Sequence, residues 1–432
     1  MDRRAFLFST TGLALTPLPQ GLNLSLLGLQ DVGGSGPAPS PPADPAFVAW
    51  REAFITKAVA AGLPEAPVRA ELDGLTPDPH VIALDHRQPE LTRPISAYLN
   101  TATSASNITK GQAALQSQAQ ALVPIVARYG VPAEILVAIW GIESAYGATQ
   151  GSDDVLRSLA TLAFDGRRGA WAEAELIDAL RIIVAGEATR MQLRGSWAGA
   201  MGQTQFTPSD YLNFAVDADG DGRRDIWGSP PDALASTANF LDHKAAWRPN
   251  GAVQVEVVVP RQGFDYSLTD GPMKPIADWQ AMGLTAPAGF PDPAVHGDAA
   301  GLIMPMGWRG PGFLIYPNHL AIRVYNNSTA YALGVGLLAG RIAGGPPLSQ
   351  PWPDDPPLTL NDRIAAQQSL AALGFDPGAQ DGVIGAGTRR AARAWQASRG
   401  LPADGYLSFD LIQRLKAEAG VASPPTGAAA PG

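Results

Sequence analysis

Cysteine is absent from this chain of 432 residues. Its absence excludes disulfides, thiolate metal sites, cysteine nucleophiles and a lipid anchor attached through an N-terminal cysteine. Charged residues are scarce, at 16% of the chain, where about 25% is typical. Lysine and arginine number 31 against 40 aspartate and glutamate residues, which gives a formal net charge of −9. A nucleic-acid-binding protein, which usually carries a basic face, is therefore not expected.

Long apolar runs and metal-binding patterns are also missing. No run of about 18 uninterrupted apolar residues occurs, so no membrane-spanning helix is predicted. The five histidines lack the spacing of metal ligands, and we find no H-E-x-x-H motif, nucleophile elbow or phosphate-binding loop. The chain is instead 46% apolar and holds 47 glycines and 39 prolines. This composition predicts a packed protein of two or three domains with extensive loops and linkers.

The composition changes along the chain and predicts six segments. The N-terminus begins with Arg3 and Arg4, continues as an apolar stretch and resembles a twin-arginine export signal, which would place the protein in a bacterial periplasm without a lipid anchor. The second of two Pro-rich linkers is expected to be a semi-rigid spacer. The predicted segments are an export signal at 1–30, a linker at 31–46, a large domain at 47–345, a linker at 346–359, a small module at 360–418 and a disordered tail at 419–432.

Apolar periodicity predicts the main secondary-structure elements and a fold class that is mainly α. The large domain is expected to contain one convincing strand, rich in β-branched residues, at 253–260. The small module is expected to contain three helices joined by glycine-containing turns. The helices predicted in the large domain lie at 46–61, 110–129, 133–146, 171–193 and 331–342.

One acidic residue lies on an apolar helix face. In the predicted helix 133–146, Leu136, Ile139, Trp140 and Glu143 fall at positions i, i+3, i+4 and i+7 and share one face. A carboxyl group in such surroundings loses hydration, so we expect its pKa to be raised, as a general acid near neutral pH requires. A glutamate paired with a buried arginine, or one at a solvent edge, would show the same pattern. Periodicity alone does not decide between these interpretations.

Two further segments carry neutral polar and aromatic side chains. Residues 196–211 combine amide, hydroxyl and apolar groups with two glycines that permit close backbone approach. Residues 322–331 hold tyrosines and asparagines. Such a mixture suits sugars, which stack on aromatic faces and form hydrogen bonds at their edges. A Gly-rich polar loop is a weak signal by itself, and residues 322–331 also fit an ordinary turn at the end of a strand. The candidate groove residues are Met201, Gln203, Gln205, Tyr325, Asn326 and Tyr331, with Tyr146 at the end of the predicted helix that carries Glu143.

An Asp-rich loop matches part of the calcium-binding pattern D-x-[DN]-x-[DN]-G-x5-E. Gly228 stands where position 12 requires a bidentate acid, and Asp225 or Asp232 is a candidate replacement. The loop is predicted either to bind a structural calcium ion weakly or to be a turn whose aspartates bond to their own backbone. No cofactor is expected to be required. The residues that match positions 1, 3, 5 and 6 are Asp217, Asp219, Asp221 and Gly222.

Taken in order, these segments resemble a known family. Over roughly 47–345 the chain resembles the membrane-bound lytic murein transglycosylase B family (glycoside hydrolase family 103). The runs that carry this resemblance are HRQPELTRPISAYLN, GIESAYG, SWAGAMGQTQFTPSDY, DADGDGRRDIW, PDALASTANFL and VYNNSTAYALGVGLLAGRIAGG. The small module resembles the peptidoglycan-binding domain-1 family in its LGF, DGVIGAGT, WQASRGL and DGYLS runs.

The resemblance implies a lysozyme-like α+β catalytic domain followed by a small three-helix bundle, with peptidoglycan glycan strands as the partner. It implies cleavage between N-acetylmuramic acid and N-acetylglucosamine. Glu143 would protonate the glycosidic oxygen and then take the proton of the muramoyl 6-hydroxyl, which closes onto C1 and gives a 1,6-anhydro end. The resemblance also implies substrate contacts for Ser196, Gln205, Tyr325, Asn326, Tyr331 and Phe240, the last standing where relatives often have tyrosine.

Other functions stay open at this point. A lysozyme-type hydrolase on the same groove would need a second essential acid and would release reducing ends. A wall-binding scaffold would show no activity. A third possibility is that the Asp-rich loop is a calcium-regulated element. No second acid lies near Glu143 in its helix or in the SWAGAMGQTQF run, which favours the transglycosylase.

Overall fold

The computed structural model describes residues 44–87 and 94–420, so the predicted export signal and most of the first linker and of the tail lie outside the described residues. The large domain is built mainly from helices. They are α1 (Pro45–Ala60), α2 (Glu65–Leu72), α3 (Pro79–Arg87), α4 (Ile95–Ala102), α5 (Ala105–Ser117), α6 (Ala119–Tyr129), α7 (Ala133–Ser144), α8 (Val155–Asp165), α9 (Gly169–Val184), α10 (Pro208–Phe214), α11 (Pro230–His243), α12 (Ile276–Ala281), α13 (Pro293–His296), α14 (Pro317–Tyr325) and α15 (Thr329–Ile342).

Helix α7 lies at the centre of the large domain. Nine of its twelve residues are buried, and it packs against α5, α11 and α15. A helix that is apolar on nearly every side is stable only when other helices surround it. The sequence placed apolar residues on the face of Glu143 and, through Ile135 and Ile142, on the neighbouring face, and the structure also buries Val137, Ala138 and Ser144. The catalytic candidate Glu143 therefore lies within the main core.

A small antiparallel sheet forms a second core beside the helices. Its four strands have the order β3-β6-β5-β4, and Trp279 of α12 is fully buried in this second core. A separate two-stranded ribbon joins β1 to β2. The strands are β1 (Asp153–Asp154), β2 (Arg194–Gly195), β3 (Gln254–Val257), β4 (Lys274–Pro275), β5 (Ala299–Ile303) and β6 (Gly312–Ile315).

Several predictions of secondary structure needed correction. The helix predicted at 110–129 is two helices that meet at Gln118, because α5 packs on α7 and α15 whereas α6 packs on α11. The helix predicted at 171–193 ends at Val184, and Gly186 then adopts a left-handed φ of 74° that favours glycine. The single predicted strand is confirmed as β3, but five others were missed; β5 and β6 are built partly of glycine and alanine, which do not signal strands.

Residues 360–418 form the predicted three-helix module, whose helices are α16 (Leu360–Ala372), α17 (Ala386–Ser398) and α18 (Phe409–Ala419). Trp395 is fully buried in its core, together with Leu370, Ile412 and Leu415. Helix α16 begins with a capping box between Thr359 and Asp362.

The segment before the module does not hold it away from the large domain as a spacer. Two backbone amides of this segment, those of Ser349 and Gln350, donate to the carboxylate of Glu256 on β3. Trp352 stacks on Phe313 of β6 with 6.1 Å between ring centroids. The prolines keep the chain extended, and its polar and aromatic groups attach it to the sheet, so the module lies directly against the large domain.

Within residues 44–87 and 94–420, no single helix has both the length and the apolar character needed to cross a membrane. Helices α6 and α7 pass such a test only as a pair, with a bend of 112° between them.

Candidate active site

The end of α7 places Tyr146 differently from a continuous helix, whereas Glu143 lies in the last turn of α7. The predicted helix ran to residue 146, but α7 stops at Ser144 because Ala145 and Tyr146 adopt left-handed φ values of 50° and 62°. This turn folds the ring of Tyr146 back against Trp140, with 5.8 Å between centroids. The Tyr146 hydroxyl donates to the carbonyl of Asn107 at 2.7 Å. Tyr146 is thus half-buried and packs against the end of α7.

Glu143 is buried, with 5% of its surface exposed, and it meets a tyrosine from α15. The Tyr331 hydroxyl donates to Oε1 of Glu143 at 2.6 Å. Burial, and then the neighbouring Glu143 carboxylate, raise the pKa of Tyr331 well above its usual value of 10. The phenol therefore stays protonated and acts as a donor that holds the Glu143 carboxyl group in one orientation.

Behind this pair lies a layer of aromatic rings. Tyr325 stacks parallel to Tyr331, with 6.4 Å between centroids, and its hydroxyl donates to the carbonyl of Thr204 at 2.5 Å. Phe240 packs edge-on against Tyr325 at 4.9 Å and also contacts Phe206. Neither Tyr325 nor Phe240 has an exposed surface, so both rings pack beneath the site and offer no face for direct stacking on a sugar.

The loop at 196–207 is attached to α7 through Gln203. Its Oε1 accepts from the indole Nε1 of Trp140 at 2.8 Å, and its Nε2 donates to the carbonyl of Trp227 at 2.9 Å. Met201 is fully buried and pairs through its backbone with Phe206. Sequence reasoning took Gln203 and Met201 for groove residues, but the structure uses both to hold the loop. The Trp140 contact was missed because its partner lies 63 residues away.

Close backbone approach in this loop depends on its glycines, as the sequence predicted. Gly199 and Gly202 have φ values of 83° and 65°, and a Cβ atom on either would lie less than 3 Å from Leu159 or Ile226. Gln205 adopts a left-handed φ of 51° without being glycine, and its Nε2 donates to the carbonyl of Gly202 at 2.9 Å. Strained backbone of this kind persists only where the surroundings hold it, often at functional sites.

Two polar groups keep hydrogen-bonding capacity for a ligand. Ser196 is half-buried, and its Oγ accepts from the backbone amides of Ala198 and Ala200, which leaves the hydroxyl proton to be donated. Asn326 is buried, with 4% of its surface exposed, and its Oδ1 accepts no hydrogen bond from the described residues. An unsatisfied buried acceptor of this kind costs free energy until a donor reaches it.

The Asp-rich loop is an exposed turn with converging carboxylates. One oxygen from each of Asp217, Asp219 and Asp221 lies within 4.8 Å of the others, a spacing that a cation can bridge. Asp217 also accepts from the amides of Gly220 and Gly222, so its carboxylate bonds to its own loop as the second interpretation predicted.

The candidates for the missing twelfth position are engaged elsewhere. Both carboxylate oxygens of Asp232 accept backbone amides, from Ala218 and Asp225. Asp225 in turn accepts the amide of Gly228 at 2.8 Å. The donor set fits a calcium ion through three carboxylates, without a bidentate acid at the end of the loop.

A second buried glutamate, Glu175 on α9, did not attract attention in the sequence. Its Oε2 accepts from the backbone amide of Ser209, in the first turn of α10, and its Oε1 accepts from the Ser209 hydroxyl, both at 2.9 Å. Trp171 donates to the same Oε1 at 3.1 Å. Glu175 therefore anchors the helix that follows the 196–207 loop. An acid among the apolar residues of α9 is the signal that could have indicated it.

Comparisons with known proteins agree with this architecture. Residues 46–340 match the family model described as a transglycosylase SLT domain, and residues 359–415 match a peptidoglycan-binding domain. The chain is 35% identical over 219 residues to the membrane-bound lytic murein transglycosylase B of Escherichia coli strain K12. That alignment covers 50% of this chain and 58% of the relative, so it spans little more than half the length of the relative.

Solved structures extend the similarity to the small module. SltB3 of Pseudomonas aeruginosa, in complex with NAG-anhNAM-pentapeptide, is 48% identical, with a TM-score of 0.82 over 86% of this chain and 100% of that one. The lytic transglycosylase Slt35 of Escherichia coli, in complex with calcium, is 30% identical, with a TM-score of 0.59 over 68% of this chain and 92% of that one. The chain therefore belongs to the SLT transglycosylase family, the lytic transglycosylases with a lysozyme-like fold, and carries a C-terminal peptidoglycan-binding domain.

Proposed function

We propose that this chain cleaves the β-1,4 bond between N-acetylmuramic acid and N-acetylglucosamine and leaves a 1,6-anhydro end, with Glu143 as the one catalytic acid and base. The observation that carries the proposal is the composition of the converging segments 133–147, 196–207 and 325–331. Besides Glu143 they contain one acid, Glu134, nine residues away on the same helix. At 1.5 Å per residue this is about 13 Å, whereas paired glycosidase carboxylates lie about 5 to 10 Å apart.

A single carboxyl group suffices if the nucleophile belongs to the substrate. Glu143 gives its proton to the glycosidic oxygen as the bond from that oxygen to C1 breaks, which releases the N-acetylglucosamine 4-hydroxyl. The Glu143 carboxylate then takes the proton of the muramoyl 6-hydroxyl, whose oxygen bonds to C1. Atoms balance without water, and Glu143 regains its proton. Tyr331 supports both steps by fixing the carboxyl group that receives and returns this proton.

The groups with remaining hydrogen-bonding capacity are assigned to substrate contacts. The Ser196 hydroxyl has a proton to donate, and Asn326 Oδ1 has an acceptor site that suits a sugar hydroxyl or an acetamido N–H. Gln205 is assigned with them, because its Nε2 donates to the carbonyls of Gln150 and Gly202 and its Oε1 is left as an acceptor. Tyr146, Tyr325 and Phe240 support the catalytic helix and the aromatic layer and are not assigned to stacking on a sugar.

Calcium binding by the Asp-rich loop is a second part of the proposal. The supporting observations are the three converging carboxylates and the calcium complex of the Slt35 relative. Because position 12 is glycine, binding is expected to be weak, and the ion would stabilise the loop between α10 and α11. Catalysis is assigned to Glu143 and its neighbours and not to this loop.

Action on the wall also fits the module and the predicted export signal. We place the protein in the periplasm, where peptidoglycan lies, with the C-terminal domain holding it on glycan strands. Attachment to a polymer raises the local concentration of the catalytic domain at its substrate.

Mass spectrometry of sacculi digested by the full chain tests the activity. The expected products carry 1,6-anhydro-muramoyl ends. Products heavier by one water would instead identify a lysozyme-type hydrolase, and the absence of soluble products would leave a wall-binding scaffold.

A further inference from the structure

The first five residues of the 196–207 loop form a tight turn, here called the serine turn. The backbone amide of Ser196 donates to the carbonyl of Ala200 at 2.8 Å, and the amide of Gly199 donates to the carbonyl of Ser196 at 2.9 Å. Trp197 is the one large side chain of this turn, since its other residues are serine, alanine and glycine. Among the five side chains, the Trp197 ring therefore offers the largest surface for holding the turn against the rest of the protein.

The Trp197 ring is held by an arginine from the residue before α9. Trp197 is buried, with 8% of its surface exposed, and Cζ of Arg168 lies over its ring, 5.4 Å from the centroid. The same guanidinium lies 5.1 Å from the ring centroid of Trp171, in the first turn of α9. A guanidinium over an indole face is attracted by the ring electrons and packs flat against the ring. Arg168 thus links the serine turn to the start of α9.

Asp85 of α3 fixes the orientation of the Arg168 guanidinium. Asp85 is buried, with 1% of its surface exposed, and its Oδ1 accepts from Nη2 of Arg168. Its Oδ2 accepts from Nε of Arg167, whose Nη2 also donates to the Asp85 carbonyl at 2.7 Å. Rotation of the Arg168 guanidinium would take a donor away from a buried carboxylate, which is costly. The guanidinium is therefore held in place on both sides, by the carboxylate and by the two indoles.

The position of the serine turn decides where the Ser196 hydroxyl can donate. Its Oγ accepts from the amides of Ala198 and Ala200, within the same turn, so the hydroxyl moves with the turn as a unit. A hydrogen bond weakens steeply when its angle departs from linearity. A displacement of the Trp197 ring would therefore weaken the substrate contact that is assigned to Ser196.

We propose that Arg168 is a positioning residue for substrate binding, which holds the Trp197 ring and thereby directs the Ser196 hydroxyl toward the glycan strand. The inference rests on the proposed function, because it takes Ser196 as a substrate contact. Asp85 supports the arrangement by keeping the Arg168 guanidinium in place. Arg168 acts through the serine turn and does not itself contact the substrate.

Calorimetric titration of the full chain with NAG-anhNAM-pentapeptide tests the proposal, because this fragment lacks the bond that the enzyme is proposed to cleave. Ser196→Ala is expected to raise the Kd of the groove about tenfold, the loss of about one hydrogen bond. Arg168→Met is expected to raise the same Kd by a similar factor. In the double variant the Kd is expected to rise no further than in Ser196→Ala, because both changes act through one contact.

Arg157→Met is the matched control. Arg157 of α8 donates to the carbonyls of Thr76 and Pro77 and pairs with Asp78 at 3.1 Å, so it also ties a helix to the chain around the start of α3. These contacts lie outside the serine turn. The control is expected to lower the thermal midpoint of unfolding and to leave the Kd unchanged, which separates positioning from a general loss of stability.

An unchanged Kd in Ser196→Ala or in Arg168→Met would overturn the proposal. So would effects that add in the double variant, or a rise in Kd of the same size in Arg157→Met. If Arg168→Met does not fold, Trp197→Leu takes its place, because it keeps Asp85 paired with both arginines. Trp197→Leu is expected to give the same rise in Kd and the same lack of additivity with Ser196→Ala.

Failure of the proposed function has a different readout. It would be seen as the absence of anhydro ends from sacculi digested by the native chain. If the native chain forms anhydro ends while Arg168→Met binds the fragment with native affinity, the positioning function of Arg168 alone is refuted.

Discussion

Glu143 and Glu175 are two buried glutamates in one domain, with 5% and 2% of their surfaces exposed. Glu175 accepts hydrogen bonds on both oxygens from the first turn of α10 and thereby fixes a helix. Glu143 accepts a hydrogen bond from the Tyr331 hydroxyl, whose ring belongs to the aromatic layer beside the 196–207 loop. The difference shows that burial does not by itself identify a catalytic acid. The groups that donate to the carboxylate distinguish the two residues. The donors to Glu175 include the first turn of a helix, whereas the donor to Glu143 is a tyrosine beside the 196–207 loop.

The largest expected effect is a difference in the rate of anhydro-end formation between variants of these two glutamates. Glu143→Gln removes the transferable proton and is expected to lower the rate of anhydro-end formation by about 10³-fold, with the thermal midpoint of unfolding little changed. Glu175→Gln is the matched control and is expected to keep the rate within a few-fold. Equal losses in the two variants would mean that the structural distinction between them is wrong.

A smaller effect is expected from the partner of Glu143. Tyr331→Phe removes the hydrogen bond to the carboxylate, worth about 1.5 to 3 kcal/mol for a charged acceptor, which corresponds to a roughly 10- to 100-fold loss in kcat. Tyr211→Phe is the control, because it removes another buried tyrosine hydroxyl that faces a carboxylate, Glu187. A loss of kcat in the Tyr211 variant as large as that in the Tyr331 variant would contradict a positioning function for Tyr331.

The third prediction is that Glu175 contributes to the pH dependence of the free energy of unfolding. Burial raises the pKa of Glu175 above its usual value of 4.5, although hydrogen bonds from Ser209 oppose the shift. The folded protein therefore binds this proton more tightly than the unfolded chain, and the free energy of unfolding falls as pH rises from about the usual value through the raised one. Glu175→Gln is expected to flatten this part of the profile, measured by denaturant unfolding at a series of pH values. An identical slope in both proteins would assign the titration to other groups.

The smallest expected effect is the stabilisation of the folded chain by calcium at the exposed Asp-rich loop. Excess calcium is expected to stabilise the folded chain by about 1 kcal/mol relative to a chelator, because a weak ion contributes only through mass action. Asp219→Asn is expected to remove the difference in thermal midpoint. Asp376→Asn is the control, since Asp376 also bonds to its own turn but has no neighbouring carboxylates of this kind. If calcium does not change the thermal midpoint, the proposed calcium site is wrong and the loop is a turn whose aspartates bond to their own backbone.

Part of the site was readable from the chain because its signal is local. The spacing of Leu136, Ile139 and Trp140 places Glu143 on a helix face wherever that helix lies in the fold. The glycines of the 196–207 loop likewise indicated close approach before any partner was known. Phe240 was misjudged because an aromatic residue gives the same sequence signal whether its ring is exposed or fully buried.

The sequence by itself determined the family, the helix that carries Glu143 and the three-helix module, since motif order and periodicity are properties of neighbouring residues. The tertiary structure alone decided which polar groups remain for a ligand. The amide of Gln203 is taken up by Trp140, 63 residues away, and Asp404 reaches the backbone of Trp308 across 96 residues. A hydrogen bond between distant residues leaves no periodic trace in either segment, so only the folded chain shows that Gln203 holds the loop and that Asp404 links the two domains.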